Sequence, residues 1–322
     1  MIQFFSTAFN LPVPARNVKR IPLRYAMQHL MTSRDGRNLD VLLGGNPNAS
    51  MALVCHHGTP SDASIWTGWN EDALEHNLRL VAISRPGYAH SQRKKGRSVS
   101  CVVADVEDVL DELGIDRFLT VGWSGGGPHA LACAEGLPTR CIAASVLAGV
   151  GPHGEPDLDS MSDMGPENIE HKKIAIQGEE PLREWARINA AAWFTIADDE
   201  LTDALGGLIP EIDAVALNEH GMAAVWASSI RRSLQNGIDG YIDDSLVFCK
   251  YWGFRPDDIK VPVTVWQGDL DLMVPFTHGQ WLIKHIPQAK SQLELGHGHI
   301  SLIVDKKQDI IKDLLAHLPA SK

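Results

Sequence analysis

Cysteine is scarce in this sequence and follows no binding or disulfide pattern. The five cysteines include no C-x-x-C pair and no regular spacing, which argues against a disulfide framework or a cysteine zinc site. Cys55, Cys133 and Cys141 lie in apolar segments, where cysteine behaves as a small hydrophobe. We therefore expect buried, reduced thiols and a reducing, cytoplasmic compartment. The remaining two are Cys101 and Cys249.

Long apolar runs and basic clusters are also missing. No stretch approaches the ~20 apolar residues that a membrane span requires. The N-terminus has no basic region before Pro12 and Pro14 interrupt it, so we predict no signal peptide. The net charge of −11 argues against a nucleic-acid or anionic membrane surface, since both select clustered Lys and Arg. We expect a small-molecule substrate as the partner, and a homodimer stays open.

Short apolar runs bounded by Gly and Pro predict a series of buried strands. They cover residues 51–55, 80–84, 118–121, 143–147 and 263–266. A helical apolar spacing over residues 99–113, ended by Gly114, lies between two of them. Alternation of strand and helix predicts an α/β fold with a mostly parallel twisted sheet and helices on both faces.

The pattern changes between residues 151 and 260, where strand signals vanish. Helical patterns cover residues 181–194, 198–205, 212–235 and 241–251. About 110 residues without a strand are too many for a loop. We therefore predict a core formed by residues 1–150 and 261–322, with residues 151–260 inserted as a helical cap.

The sequence Gly122-Trp123-Ser124-Gly125-Gly126 is a G-x-S-x-G motif between a predicted strand and a predicted helix. This context is the one in which the motif forms a strained turn that exposes a nucleophilic serine. Such a turn needs almost side-chain-free positions two before and two after the serine. We interpret Ser124 as the candidate nucleophile, although a plain Gly-rich turn would read similarly.

A second turn follows the strand at residues 51–55, with the sequence His56-His57-Gly58-Thr59-Pro60. It can direct the backbone N–H of Thr59 toward the same point as the N–H of Gly125, and two such donors form an oxyanion hole. His57 and Gly58 are the supporting residues of this turn. We predict no metal site here, because no third ligand with matching spacing accompanies the histidines.

Acidic and imidazole side chains follow the last predicted strand. Asp269 and Asp271 come directly after it, at the edge of the sheet where open α/β folds place their sites. His297 and His299 lie on a loop before the final helix. One acid and one histidine from these pairs would complete the chain order Ser, Asp, His.

Together these motifs resemble the α/β-hydrolase superfamily, nearest to capped members such as proline iminopeptidases, epoxide-hydrolase-like proteins and related esterases. The resemblance assigns the acid to Asp271, which stands third after Gly268 and precedes Val274-Pro275, and the base to His299 in Gly298-His299-Ile300. It implies no cofactor. The loop Ser84-Arg85-Pro86-Gly87-Tyr88-Ala89 departs from relatives, which commonly have Asp first and Gly last.

The expected activity is cleavage of a small or medium carboxylic ester through an acyl-enzyme intermediate. An aminopeptidase of the proline iminopeptidase type would need cap carboxylates to receive an ammonium group. A C–C bond hydrolase and a non-enzymatic ligand receptor are further alternatives. Seven aromatic residues of the inserted region can line an acyl pocket or simply pack: Trp185, Trp193, Phe194, Trp226, Phe248, Tyr251 and Trp252. The candidate ammonium-binding carboxylates are Glu179, Glu180, Glu184, Asp243 and Asp244.

Overall fold

The computed structural model of the chain describes residues 26–219 and 221–318. Their strands form one eight-stranded sheet in the order β1-β2-β4-β3-β5-β6-β7-β8. Only the pairs β1–β2 and β2–β4 are antiparallel, so the sheet is mostly parallel and the predicted fold class is confirmed. The strands are β1 (Met27–Thr32), β2 (Asn38–Gly45), β3 (Met51–His56), β4 (Arg79–Ile83), β5 (Arg117–Trp123), β6 (Cys141–Leu147), β7 (Val263–Gly268) and β8 (Lys290–Glu294).

The five predicted strands correspond to β3, β4, β5, β6 and β7, each buried along nearly its whole length. The strands that were not predicted lack a long apolar run. β1 and β8 are edge strands with largely exposed or half-buried residues. In β2, the buried Asp40 interrupts the apolar sequence.

Helices cover both faces of the sheet. On β3, Leu53 and Cys55 face one apolar cluster, whereas Ala52 and Val54 face the other, as the two-residue period of a strand requires. The first cluster includes side chains of α1 (Asn70–Glu75), α11 (Ser301–Asp305) and α12 (Lys307–Leu315). The second includes side chains of α2 (Val102–Glu112), α3 (Gly127–Gly136) and α10 (Phe276–His285).

Residues 148–262, which we call the inserted segment, connect β6 to β7 and contain helices but no strand in their described part. The prediction of one helix over residues 212–235 is wrong, since two helices occupy this range and Gly221 between them has φ +68°. The boundaries of the cap domain remain a prediction. The helices are α4 (Pro166–Gln177), α5 (Glu179–Asn189), α6 (Leu201–Leu205), α7 (Glu211–Glu219), α8 (Met222–Leu234) and α9 (Asp239–Val247).

Two predictions from composition can be compared with the structure. All five cysteines are free thiols, and Cys55, Cys133 and Cys141 are buried as expected. Across the described ranges, every helix is too short or too polar to cross a membrane. The prediction about a signal peptide concerns residues that lie outside the described ranges.

Candidate active site

Ser124 lies directly after β5, in a tight turn that leads into α3. Its φ of +57° is the left-handed conformation that side chains rarely adopt, and a nucleophile elbow has this strain. Gly122 and Gly126 meet the steric requirement predicted for the turn. A Cβ atom at Gly122 would overlap the carbonyl of Gly126, and one at Gly126 would overlap the carbonyl of His56. The need for glycine on both sides of Ser124 is thus confirmed.

Asp271 and His299 are buried and joined by a hydrogen bond of 2.8 Å between Oδ2 and Nδ1. The other carboxylate oxygen of Asp271 accepts from the backbone N–H groups of Met273 and Val274, at 2.9 and 2.8 Å. Gln267 Nε2 donates to Asp271 Oδ2 at 3.1 Å. These donors fix the carboxylate, and the carboxylate fixes the orientation of the imidazole.

The alternative acid and histidine lie elsewhere. Asp269 is exposed and accepts a hydrogen bond from the backbone N–H of Gly296, at 2.7 Å. His297 approaches the carbonyl of Leu295 and the carboxylate of Asp305. Among the described residues, neither Asp269 nor His297 forms a hydrogen bond or an ion pair with Asp271 or His299. The geometry therefore brings together the two residues that the family pattern selects.

His299 lies beside the residue that precedes the candidate nucleophile. The indole of Trp123 donates to the carbonyl oxygen of His299 at 3.2 Å, and the two rings are 5.3 Å apart. In the described ranges, neither Ser124 Oγ nor His299 Nε2 has a hydrogen-bond partner. Catalytic hydrogen bonds are often long without substrate and tighten in the complex.

The turn that carries Thr59 is held by His57. The Nδ1–H of this buried imidazole donates to the carbonyl of Gly58 at 2.8 Å, and its Nε2 accepts from the backbone N–H of Arg85 at 2.9 Å. Burial and the nearby Arg85 hold the pKa of His57 well below its usual range, which keeps the ring neutral. A neutral ring is the form that can donate at one nitrogen and accept at the other. His57 thus joins its own turn to the loop that follows β4 by hydrogen bonds.

Thr59 and Gly125 are neighbours, as the oxyanion-hole prediction requires. A Cβ atom at Gly125 would lie 2.6 Å from Thr59 Oγ1, and one at Gly58 would lie 3.4 Å from the Cβ of Ser124. His129, in the first turn of α3, contacts the carbonyl of Gly125 through Nδ1 at 2.8 Å. Backbone groups of both turns therefore converge near Ser124.

A buried ion cluster connects this turn to the inserted segment. Asp244 on α9, which is 0 % exposed, accepts hydrogen bonds from Arg85, Arg97, Tyr88 and Thr59. Burial alone would raise the pKa of Asp244, but the two arginines outweigh it and hold the pKa well below the usual range. Arg85 also donates to the carbonyls of His57 and Gly58. The cluster therefore fixes the backbone on which Thr59 sits.

A cavity of about 350 Å³ lies between Ser124 and the inserted segment. Of the seven aromatic residues considered from the sequence, Trp185, Trp193, Trp226 and Phe248 line it. The other three do not: Trp252 stacks on Phe254 in the core, and Phe194 and Tyr251 are exposed. Its titratable lining residues, among those described, are Glu167, Glu170, His171 and Tyr241, with no Lys or Arg.

The five carboxylates considered for binding an ammonium group do not line this cavity. Four of them pair with arginine: Asp244 as above, Asp243 with Arg93, Glu179 with Arg93 and Arg183, and Glu184 with Arg187. The fifth, Glu180, is exposed on α5. The carboxylates at the cavity are instead Glu167 and Glu170, both exposed.

Several groups in this site had no sequence signal. Gln267 is the penultimate residue of β7, and His129 sits on a helix where polar residues are ordinary. Asp244 was considered from the sequence only as an ammonium-binding carboxylate, which is not the role that its contacts show. Gln267 and His129 form hydrogen bonds with residues only four to seven positions away, whereas the partners of Asp244 are distant along the chain, 159 residues away for Arg85. The loop at residues 84–89, which differs from relatives at Ser84 and Ala89, contains Arg85 and Tyr88 of this cluster.

Comparison with known proteins agrees with the fold. The family model described as alpha/beta hydrolase fold matches residues 52–168. A non-heme chloroperoxidase of Streptomyces lividans is 31 % identical over 141 residues, which cover 43 % of this chain and 49 % of that protein. The chain thus spans about half the length of this relative.

One further relative and one solved structure are matched over most of their length. A 2-hydroxy-6-oxononadienedioate/2-hydroxy-6-oxononatrienedioate hydrolase of Burkholderia vietnamiensis is 27 % identical, over 79 % of this chain and 83 % of that protein. The crystal structure of the enol-lactonase from Burkholderia xenovorans LB400 superposes with a TM-score of 0.65 at 19 % identity, over 90 % of this chain and 99 % of that one. Taken with the sheet order and the turn at Ser124, these similarities show that the chain has the α/β-hydrolase fold.

Proposed function

We propose that this protein is a serine hydrolase that cleaves an uncharged carboxylic ester of small or medium size through an acyl-enzyme. The observation that carries the proposal is the cavity at Ser124, which is lined mainly by apolar and aromatic residues and has no cationic side chain among the described lining residues. Its volume of about 350 Å³ is near the lower end of the range for ligand pockets, about 300–1,000 Å³. A compact substrate is therefore favoured.

In the proposed cycle, His299 Nε2 takes the proton of Ser124 Oγ as the oxygen attacks the acyl carbon. Asp271 holds the imidazole by the 2.8 Å hydrogen bond at Nδ1 and stabilises its charged form. The backbone N–H groups of Thr59 and Gly125 stabilise the oxyanion, and His299 then protonates the leaving alcohol. Water, activated by the same histidine, releases the acid and restores the serine.

The charge of the lining argues against a dianionic substrate. The hydrolase relative acts, by its name, on a dioate, which carries two carboxylates. A carboxylate taken from water into a largely apolar pocket needs a cationic or hydrogen-bonding partner. Here Glu167 and Glu170 would repel it instead. We therefore propose that this chain differs from that relative in the charge of its substrate.

His171 does not supply the missing positive charge. It lines the cavity between Trp185 and Tyr241, and its Nε2 is 3.0 Å from Ser245 Oγ. Burial and the neighbouring Lys172 lower the pKa of His171 to about 4, so the ring is neutral at pH 7. The polar groups at this end of the cavity therefore suit a neutral substrate.

The test compares two series of substrates of matched length, using the protein and Ser124→Ala. One series is p-nitrophenyl esters of monocarboxylic acids, which are neutral, and the other is p-nitrophenyl monoesters of dicarboxylic acids, which keep one free carboxylate. We expect turnover of the neutral series to exceed that of the charged series by at least about tenfold, since one unpaired charge costs a few kcal/mol. Ser124→Ala should lower kcat by on the order of 10³ or more. Preference for the charged esters would contradict the substrate class, and activity independent of Ser124 would contradict the mechanism.

Aminopeptidase activity is the second candidate, favoured by one observation. Glu167 and Glu170 line the cavity and lack a basic partner in the described structure, although Glu170 accepts from the Trp185 indole at 3.0 Å. Cleavage of proline p-nitroanilide that is lost in Glu167→Gln or Glu170→Gln would support it.

The other two alternatives are tested with the same two proteins. Cleavage of a vinylogous diketone that depends on Ser124 would indicate C–C bond hydrolysis. Tight binding without turnover of any of these compounds would indicate a receptor.

A further inference from the structure

Asp213 is a buried carboxylate whose hydrogen bonds all go to the turn that carries His299. Asp213 lies on α7 of the inserted segment and is 0 % exposed. Its Oδ2 accepts from the backbone N–H of His299 at 2.8 Å. Its Oδ1 accepts from the N–H groups of Ile300 and Ser301, at 3.1 and 2.8 Å, and from Ser301 Oγ at 2.7 Å.

These bonds replace the counter-ion that a buried carboxylate normally requires. No Lys, Arg or His in the described ranges forms an ion pair with Asp213. Removal of a carboxylate from water is costly unless charge-assisted hydrogen bonds compensate, and each of these is stronger than a neutral one. The carboxylate of Asp213 therefore keeps its hydrogen bonds only while the backbone of residues 299–301 stays in its present conformation.

The sequence around His299 is shaped to fit this carboxylate. A Cβ atom at Gly298 would overlap the Asp213 carboxylate, so any larger residue would displace it. The N–H of Gly298 donates to Ser301 Oγ at 2.8 Å, and that hydroxyl in turn donates to Asp213. The contacts with Asp213 thus explain why glycine occupies position 298 and serine position 301, which the His-x-His pattern alone does not explain.

We propose that Asp213 is a positioning residue for the catalytic base, an inference that rests on the proposed function of His299. It fixes the backbone of His299 at the one residue whose imidazole must face both Asp271 and Ser124. Because α7 belongs to the inserted segment while His299 follows β8 of the sheet, the base is in place only when this helix is docked. The inserted segment therefore contributes to the chemistry as well as to the pocket.

The experiment compares Asp213→Asn with Asp243→Asn on the best p-nitrophenyl ester. Asp243 is a matched control, because it is also a buried carboxylate of the inserted segment. It pairs with Arg93, which follows β4 of the sheet, and within the described ranges it forms no hydrogen bond with the His299 turn. In Asp213→Asn an amide replaces one acceptor and faces the backbone N–H groups. Since a displacement of about 1 Å can cost about 10²-fold in rate, we expect kcat to fall 10- to 100-fold. KM should change less than about threefold, because Asp213 does not line the cavity.

Two further readouts separate positioning from general loss of structure. The pH dependence of kcat/KM should show a shifted acid limb in Asp213→Asn and an unchanged one in Asp243→Asn. The low-field proton resonance of the His299–Asp271 hydrogen bond should shift or broaden only in the former. If Asp213→Asn does not fold, Ser301→Ala removes one of the four donors and should lower kcat about three- to tenfold with the same pH signature.

The outcomes are distinct from those of the proposed function. Equal kcat and equal pH profiles for Asp213→Asn and Asp243→Asn, or an unchanged Ser301→Ala, would overturn the positioning role while ester hydrolysis stands. Turnover that survives Ser124→Ala would instead overturn the proposed function, and the inference with it.

Discussion

Asp271 and Asp269 show how two identical side chains two positions apart have different surroundings. Asp271 is buried and accepts from Met273 N, Val274 N, Gln267 and His299. Asp269 is exposed and accepts from the N–H of Gly296. The first set of contacts can orient a catalytic imidazole, whereas the second shapes a turn.

We predict that Asp271→Asn lowers kcat by about 10³–10⁴, because an amide favours the wrong tautomer of His299 and does not stabilise its cation. KM should change little, since Asp271 does not line the cavity. Steady-state kinetics on a p-nitrophenyl ester provide the measurement. Asp269→Asn is the matched control and should retain most of the activity; if the two variants lose activity equally, the assignment of the acid is wrong.

At the scale of elements, the turn at Ser124, between β5 and α3, packs against the end of β3 only because its flanking residues are glycines. We predict that Gly126→Ala lowers the free energy of unfolding by about 1–3 kcal/mol, since the added methyl group would overlap the carbonyl of His56. Gly207→Ala is the control, because a Cβ there meets nothing within 4 Å. Urea unfolding followed by tryptophan fluorescence measures both. Equal stability of the two variants would contradict the packing argument.

The cluster of Asp244, Arg85 and Arg97 joins α9 to the loop that follows β4. We predict that Asp244→Asn lowers the free energy of unfolding by about 3–5 kcal/mol, because two buried guanidinium groups lose their counter-ion. The exposed pair of Arg255 and Asp257 supplies the comparison, and Asp257→Asn should change stability by less than about 1 kcal/mol. Chemical denaturation tests this difference. A small effect at Asp244 would mean that water or a rearranged side chain compensates for the lost charge.

The elements that could be predicted from the sequence are those whose signal is local. Buried parallel strands such as β3 and β7 have continuous apolar runs, and the turn at Ser124 has a fixed pattern of glycines. Edge strands such as β8 lack that run because one side meets solvent. The contacts of Asp213 and Asp244 join positions 86 to 185 residues apart. No spacing rule along the chain connects residues so distant. These contacts of the site could therefore be identified only from the three-dimensional structure.

At the scale of the whole molecule, several histidines are buried in neutral form. Burial lowers the pKa of His56 to about 3, helped by Arg85, and that of His278 to about 3 and of His171 to about 4, helped by Lys172. In the unfolded chain a histidine titrates near pH 6.5. As the pH falls below about 6.5, the unfolded state therefore binds protons that the folded state rejects.

We predict that stability is greatest above about pH 6.5 and falls steeply between about pH 6 and 4.5, with each such histidine contributing up to about 1.4 kcal/mol per pH unit. Denaturation at a series of pH values gives the slope. His56→Gln removes one of these titrating groups. It should reduce the slope by the contribution of one histidine, up to about 1.4 kcal/mol per pH unit, whatever its effect on stability at pH 7. His76→Gln, at an exposed position, is the control substitution. A slope that His56→Gln does not reduce would mean that His56 is already protonated in the folded protein, which its complete burial beside Arg85 argues against.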